Sequence, residues 1–379
     1  MKNNRTFLEK LLDGAEVEWK PLGKVTDIKT GQSVSKNIIA QDPGIYPVIN
    51  SGREPLGFIN VWNTENDPIG ITTRGAGVGS ITWQEGKYFR GNLNYSVTIK
   101  SEYELNVRFL YHILLHFQKE IHNLCSFTGI PALNASELKK LEIPIPPLSV
   151  QTEIVKILDA LTELTSELTS ELILRRKQYE YYREKLLSHD SSEYSTQKSD
   201  KVKFFHTSNI QWLHLNEIYK FQYGIGNKIP TIGGKYPVYG SNGIVGSHNE
   251  YNSEDAPVIG HIGAYAGIVN WAEGKHFVTY NGIICNKIND NVNSRYAYYL
   301  LLSQNFIDKA NKASQPFISY DILNKCIVPV PPLKEQQRIV SILDKFETLT
   351  NSITEGLPLA IEQSQKRYEY YRELLLNFS

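Results

Sequence analysis

The chain has 379 residues, which exceeds the length that one hydrophobic core usually supports, so at least two domains are expected. Hydrophobic residues make up 41% of the chain and charged residues 21%, a composition that excludes a disordered or fibrous protein. Forty basic residues balance 40 acidic residues, so a surface that binds a polyanion would have to be a local patch.

The N-terminal residues do not have the composition of a targeting signal. Residues 1–14 carry charges throughout and lack the apolar run of a signal peptide, and no later stretch approaches the length of a membrane span. The cysteines, Cys125, Cys285 and Cys326, lie far apart and form no C-x-x-C pair, which fits a reducing compartment. We therefore expect a cytoplasmic protein without a membrane segment.

Two stretches have the composition of short strands joined by turns. Residues 17–98 and 212–286 contain short runs rich in Val, Ile, Tyr and Thr that are separated by Gly, Asn and Pro. Each stretch is followed by apolar residues at helical spacing, at 106–124 and 294–310. Two globular domains of mixed α and β structure are therefore predicted.

A long helix is predicted after each of two Pro-Pro pairs, with starts near Val150 and Lys334. Apolar residues, Ile353 among them, then recur at spacings of four and three, so the two helices are expected to pair antiparallel like a coiled coil. Pro358 interrupts the second stripe, where we expect a kink or a break, and four additional residues in that helix predict a stutter. The stripe residues that are candidates for packing and for partner docking are Leu158, Leu161, Leu168, Tyr179, Tyr182, Leu343, Phe346, Tyr368 and Tyr371.

The second half of the chain repeats the first. Ile-Pro-Ile-Pro-Pro-Leu at 143–148 returns as Val-Pro-Val-Pro-Pro-Leu at 328–333, and Tyr-Glu-Tyr-Tyr-Arg-Glu at 179–184 returns unchanged at 368–373. The predicted fold class is therefore α+β, with two mixed α/β domains separated by two long antiparallel coiled-coil helices in a pseudo-two-fold internal repeat. The predicted boundaries are 1–148 for the first domain, 149–188 for the first helix, 189–333 for a linker and the second domain, and 334–379 for the second helix. The linker, rich in Ser and charge from 189 to 203, is predicted to be flexible.

Taken together, these motifs resemble the specificity subunit of type I restriction-modification systems. The resemblance covers essentially the whole chain and includes the tandem repeat Thr-Ser-Glu-Leu at 165–168 and 169–172. It implies two target-recognition domains that each read one half of a bipartite, asymmetric site in double-stranded DNA, and helices that dock two modification subunits. It further implies that methyltransferase and ATP-driven nuclease activities, with their S-adenosylmethionine, ATP and Mg²⁺, belong to modification and restriction subunits. This chain would then be a non-catalytic subunit with no cofactor of its own.

Base reading requires Arg or Lys against guanine and Asn or Gln against adenine, presented from loops or a helix. Both halves contain such residues in their turn-rich stretches. The candidates for DNA binding are Lys29, Gln32, Ser33, Arg53, Thr73, Arg74, Lys87, Arg90, Asn92 and Asn94 in the first half, and Asn227, Lys228, Ser241, Asn242, His261, Tyr265, Lys275 and Asn281 in the second. Lys87 and Lys275 recur at matched positions and are therefore better candidates for phosphate contacts than for base contacts.

Three alternatives remain open at the level of sequence. The glycine run at 74–79 could be a phosphate-binding loop, although no Gly-Lys-Ser/Thr follows it. Asp67 with Glu85 and Lys87, and Asp255 with Glu273 and Lys275, have the order of residues in a magnesium-dependent nuclease. The stripes would also suit a coiled-coil protein adaptor that never reads DNA. We expect neither a catalytic residue nor a metal site in this chain, because Glu-Gly between strand-like runs is typical of a hairpin tip.

Overall fold

The computed structural model describes residues 7–52, 54–188, 209–226, 229, 233–311 and 314–378. The chain divides into two compact units. Unit 1 comprises residues Met1–Leu168 together with Ala360–Ser379, and unit 2 comprises Thr169–Leu359. The linker predicted at 189–203 lies outside the described residues.

Unit 1 is a mixed α/β structure, as the sequence predicts. Its described strands are β1 (Glu18–Pro21), β2 (Thr26–Thr30), β3 (Pro43–Ile49), β4 (Phe58–Ile59), β5 (Ile69–Thr72), β6 (Ile81–Trp83), β7 (Phe89–Arg90), β8 (Asn94–Ile99) and β9 (Glu142–Ile145). Its described helices before residue 148 are α1 (Phe7–Leu12), α2 (Leu22–Val25), α3 (Lys36–Gln41), α4 (Val107–His116), α5 (Gln118–Asn123) and α6 (Ala135–Leu138). Strands β2, β8, β5 and β6 pair in that order as an antiparallel sheet, while β3 pairs antiparallel with β4 and parallel with β7. Buried residues of this sheet and of α4 share one hydrophobic core.

A long helix follows, and unit 2 then repeats the same plan. The helix is α7 (Leu148–Ser188). The described strands of unit 2 are β10 (Gln211–His214), β11 (Tyr219–Tyr223), β12 (Tyr236–Gly240), β13 (Gly243–His248), β14 (Ser253–Gly260), β15 (Val269–Val278), β16 (Gly282–Lys287) and β17 (Ile327–Val330). The described helices that come after α7 are α8 (Leu215–Ile218), α9 (Ser294–Ser303), α10 (Phe306–Lys309), α11 (Tyr320–Asn324), α12 (Leu333–Asn351) and α13 (Gly356–Leu376). The pairs β11–β16, β14–β16 and β12–β15 correspond to β2–β8, β5–β8 and β3–β7 in unit 1.

The helices predicted at 106–124 and 294–310 are each two shorter helices. Asn106 and Asn293 cap α4 and α9, because each side-chain oxygen accepts two backbone N–H groups of the first turn. The first pair divides at Phe117, and the second divides where Asn305 has a φ of 46°. The predicted helical character is therefore confirmed, and each stretch is divided into two helices.

The predicted interruption of the second long helix is a complete break. Helix α12 ends at Asn351 and α13 begins at Gly356, whose φ is 82°, so Pro358 lies in the first helical turn, where its missing N–H costs little. The intervening residues Ser352–Glu355 equal in number the four additional residues of this helix. Our expectation of a stutter is wrong because these residues leave the helix, and Ile353, placed in the apolar stripe, is 79% exposed.

Within each unit, segments of the long helices pack together with opposite chain directions. In unit 1, Thr165 of α7 hydrogen-bonds Ser364 of α13 at 2.8 Å, and the buried Leu158 shares a core with Leu375. The corresponding contacts in unit 2 are a 3.4 Å hydrogen bond from Arg176 Nη2 to the Thr350 carbonyl and a stacked pair of Tyr182 and Phe346 rings with centroids 5.7 Å apart.

A buried glutamine joins each Pro-Pro segment to the domain before it. Gln151 Oε1 accepts a hydrogen bond from the Asn106 N–H at 2.8 Å, and its Nε2 donates to the carbonyls of Glu104 and Pro146. In unit 2 the same bonds run from the Asn293 N–H to Gln336 Oε1 (2.7 Å) and from Gln336 Nε2 to the carbonyls of Asn291 and Pro331. Both glutamine side chains are fully buried.

We expect Gln151→Ala to lower the free energy of unfolding by about 2 kcal/mol or more, because it leaves buried polar backbone groups without partners. Gln336→Ala should have a similar effect on unit 2. Thermal unfolding of the full chain measures both changes, and Glu153→Ala, on an exposed position of the same helix, serves as the control. A shift no larger than that of the control would show that these bonds contribute nothing to stability.

Candidate nucleic-acid interface

In unit 1, backbone hydrogen bonds join five loops. Four of these loops follow the ends of β2, β3, β5 and β7, and the fifth follows α5. They comprise residues 31–33, 50–52, 73–80, 91–93 and 126–132. The backbone hydrogen bonds that join them are Gln32 N to Arg90 O (2.9 Å), Gly91 N to Ile49 O (2.8 Å), Thr73 N to Leu93 O (2.9 Å), Gly75 N to Pro131 O (2.9 Å) and Leu133 N to Thr73 O (2.8 Å). The loops therefore form one continuous surface.

Unit 2 builds its loop surface with equivalent bonds. These are Ile225 N to Val278 O (3.1 Å), Thr279 N to Tyr239 O (3.0 Å), His261 N to Asn281 O (2.8 Å), Gly263 N to Pro316 O (2.8 Å) and Ile318 N to His261 O (2.9 Å). These matched bonds assign the described loop positions of unit 1 partner positions in unit 2, independently of side-chain identity.

The side chains at equivalent positions differ in chemistry. The pairs, with the unit 1 residue first, are Gln32 and Ile225, Arg74 and Ile262, Gly77 and Tyr265, Asn92 and Tyr280, and Ile130 and Gln315. Since hydrogen-bonding and apolar side chains recognise different chemical groups, two surfaces with the same backbone are suited to different ligands.

The structure brings together several of the residues predicted to bind DNA. On the loops of unit 1, Gln32, Ser33, Arg74 and Asn92 are exposed, whereas Thr73 is buried. In unit 2, Asn242 and Tyr265 are exposed, Ser241 and Asn281 are half-buried, and His261 is buried between the rings of Tyr223 and Tyr280. Arg53, Asn227 and Lys228 lie outside the described residues.

Three predicted lysines lie outside the loop surfaces. Lys29 is exposed on β2, next to the first loop. Lys87 lies 4.5 Å above the Trp62 ring, and Lys275 lies 4.5 Å above the Tyr251 ring, each after a turn at a glycine with positive φ. The hydrogen bond with Tyr251 raises the pKa of Lys275. These side chains could contact phosphate, but they do not join the loops.

Arg90 and Asn94 are buried and stabilise the loops from beneath. Arg90 is 3% exposed, and its guanidinium donates to Asn94 Oδ1 (2.6 Å), to the carbonyls of Asp67, Ile69 and Tyr95, and to the Tyr88 hydroxyl. The Asp67 carboxylate Oδ2 lies 3.7 Å from Arg90 Nη2. Burial lowers the pKa of Arg90 and raises the pKa of Tyr88 to about 12. Neither Arg90 nor Asn94 presents a donor to a ligand in this arrangement.

The glycine run of unit 1 forms a turn between two strands. Gly75 has a φ of 95° and Gly79 a φ of 79°, and the run leads from β5 into β6. A nucleotide phosphate loop leads into a helix, whose N-terminus binds the phosphates. The phosphate-loop alternative is therefore wrong, and the run instead holds Arg74 at the surface.

The carboxylates of the nuclease alternative have other partners. Glu85 accepts a hydrogen bond from the Trp83 indole at 2.9 Å, Asp67 accepts one from the Thr98 hydroxyl at 2.9 Å, and Asp255 accepts one from the Gly274 N–H at 2.7 Å. Within the described ranges, no group of three His, Cys, Asp or Glu side chains could hold a metal ion. The nuclease alternative gains no support from this arrangement.

Sequence reasoning missed the loop 126–132, although its Thr-Gly-Ile-Pro turn was a usable signal. It also missed the outer faces of the helices. The stripe residues named as docking candidates are buried or half-buried. Leu158, Tyr368 and Tyr371 pack in the core of unit 1, and Tyr179, Tyr182, Leu343 and Phe346 pack in the core of unit 2. Apolar side chains outside the stripe are exposed. They are Leu164, Ile173, Leu174, Tyr181 and Tyr370.

The described helices include none that is long and apolar enough to cross a membrane. The described cysteines are buried and free.

Comparisons with known proteins agree on one family. A family model described as the type I restriction modification DNA specificity domain matches residues 15–175 and 215–363. A type I restriction enzyme specificity subunit of Haemophilus influenzae is 41% identical over 100% of both chains, and one of Escherichia coli is 33% identical over 98% of this chain and 97% of its own. The crystal structure of the type I restriction-modification S subunit from M. genitalium, 23% identical, matches the fold with a TM-score of 0.66 over 97% of this chain and 98% of its own. The chain therefore belongs to the family of type I restriction-modification specificity subunits, which are non-catalytic.

Proposed function

We propose that this chain reads a bipartite, asymmetric site in double-stranded DNA, with the loop surface of unit 1 on one half-site and that of unit 2 on the other. The single observation that carries the proposal is the pairing of equivalent backbone bonds with different side chains in the two loop surfaces. A duplicated scaffold with unlike contact residues is suited to two unlike sequences. The segments that do this are 1–148 and 189–333.

The long helices, 149–188 and 334–379, would dock two modification subunits, and the assembly would recruit restriction subunits. The exposed apolar side chains on the outer faces of α7 and α13 are available for these contacts, whereas the inner stripe is used within the units. Methylation and cleavage, with S-adenosylmethionine, ATP and Mg²⁺, would then reside in the partner subunits, and the complex would act in the cytoplasm.

The decisive experiment selects bound duplexes from a random library with the complex of this chain and its modification subunits, at two salt concentrations. Phosphate contacts make affinity fall as salt rises, while sequence preference arises from base contacts. Recovery of two unlike half-sites separated by a constant gap is expected. Binding without sequence preference would refute DNA reading, and absence of DNA binding would favour the adaptor alternative.

Gln32→Ala should relax the preference at one position of one half-site. Loss of one well-placed base contact costs about 1–3 kcal/mol of discrimination, and Gln32 is exposed on the loop surface of unit 1. The same library selection measures the effect and also identifies the half-site that unit 1 reads. Ile45→Ala, at an exposed position of β3 before the loop surface, should leave the selected sequence unchanged. An equal loss of affinity for all sequences, with the base preference unchanged, would contradict a base-reading role for Gln32.

A further inference from the structure

The loop 126–132 of unit 1 is a small closed excursion of the backbone. Ser126 and Ala132 exchange backbone hydrogen bonds of 2.8 and 3.0 Å, so the five residues between them form a tip on a fixed base. The base is held beside Arg74 by a bridge between Arg74 and Ala132 and by the 2.9 Å hydrogen bond from Gly75 N to Pro131 O. The tip is therefore continuous with the loop surface that contains Arg74.

The tip presents apolar side chains to solvent. Phe127 is 54% exposed and Ile130 is 67% exposed, although the Phe127 ring lies near the ring of His122, with centroids 5.0 Å apart. Between them, Gly129 has a φ of 85°, and a β-carbon placed on it would meet no atom within 4 Å. Two large apolar side chains at one projecting tip lose favourable burial unless a ligand covers them.

The equivalent loop of unit 2 has a polar sequence on the same kind of base. Asn311 and Phe317 form the closing bridge, and Gly263 N donates to Pro316 O at 2.8 Å. The residues between the closing pair read Lys-Ala-Ser-Gln-Pro, against Phe-Thr-Gly-Ile-Pro in unit 1. Since the base of the loop is shared, an apolar tip is not required by the fold.

We propose that Phe127 and Ile130 are specificity-determining residues that recognise the C5 methyl group of thymine in the half-site read by unit 1. In the major groove, the thymine methyl is the apolar feature that separates A·T from the other pairs, and apolar side chains recognise it by contact. Arg74 is exposed where the same loop closes, and it is placed to contact a phosphate while the tip reaches the edges of the DNA bases. This inference rests on the proposed function, because it assumes that the loop surface of unit 1 faces DNA.

Replacement of thymine by deoxyuracil tests this proposal, since it removes the methyl group and keeps base pairing. With the complex of this chain and its modification subunits, each thymine of the selected site is replaced in turn and the affinity is measured. At one or more thymines of the half-site assigned to unit 1, binding should weaken about fourfold, the ratio expected for one buried methyl-sized group. In the double variant Phe127→Ala and Ile130→Ala, this dependence should disappear, and Ile45→Ala should retain it.

Other results would overturn the proposal. Equal affinity for thymine and deoxyuracil throughout that half-site would do so, as would a half-site without thymine or a double variant that keeps the discrimination. Both side chains are exposed, so the double variant should unfold at the temperature of the unchanged chain, and thermal unfolding verifies this. If the unchanged complex shows no sequence preference at all, the proposed function fails, whereas preference without methyl dependence refutes the role of the loop alone.

Discussion

Deletion of Thr169–Leu172 is expected to make the native DNA site a poor ligand and to select a site with a shorter gap between half-sites. The deletion shortens α7 by about 6 Å and turns its later part by only about 40° beyond a full turn, at 1.5 Å and 100° per residue. Because the deleted residues repeat residues 165–168, Glu167 would replace Glu171 as the partner of Arg175, which now bonds Glu171 at 2.7 Å. The helix should therefore survive the change with the ion pair of Arg175 preserved.

Affinity for the native site should fall on the order of 100-fold or more, because a half-site held out of register loses several base contacts that are worth about 1–3 kcal/mol each. Selection from a library in which only the gap varies measures the change. A matched control deletes Thr169–Ser170 alone, which turns the later part of α7 by about 200° and should abolish selective binding at every gap. An unchanged preferred gap after the four-residue deletion would refute the role of α7 in setting distance.

Arg90→Met is expected to destabilise unit 1 by about 3–5 kcal/mol, the usual cost of removing one partner from a buried charged network. The variant leaves the carbonyls of Asp67, Ile69 and Tyr95 without the donor they now share. The hydrogen-bond partners of Arg90 all lie in unit 1, so the effect should be confined to that unit. The equivalent position in unit 2 is Val278, which has no such network to lose.

Hydrogen exchange measured by mass spectrometry on the full chain resolves the two units. Exchange in β5 and β8 should accelerate strongly in Arg90→Met, while strands of unit 2 keep their protection. Asn92→Ala, an exposed neighbour, should change stability by less than about 0.5 kcal/mol. If Arg90→Met left exchange unchanged but altered the base preference, Arg90 would be a base-reading residue, as the sequence suggested.

The elements predicted best from sequence are those that local chemistry decides. The starts of α7 and α12 follow from Pro-Pro and the apolar period, and the break near Pro358 follows from proline and glycine chemistry. The repeat also identified the duplicated domains, since the equivalent motifs lie in order along the chain.

The loop surface could be predicted only in part, because it depends on the order of strands in the sheet. Gln32 and Asn92 are 60 residues apart and become neighbours through the bonds of β7 and the residues around it. Residue type also does not reveal burial: Arg90 and Asn92 looked equally suited to DNA, yet one lies beneath the surface and the other on it. The position of Phe127 and Ile130 depends on the bridge between Arg74 and Ala132, which are far apart in the sequence, so the local sequence does not reveal it.

The break at Ser352–Glu355 gives the two long helices unequal tolerance to changes in length. Residues gained or lost there alter a loop, and the side chains of α12 and α13 keep their partners within each unit. Residues gained or lost within the continuous α7 change its length in full. On the proposed function, natural variation in the spacing of the two half-sites should therefore accumulate in the tandem repeats of α7, while the second helix accommodates it by lengthening or shortening one small loop.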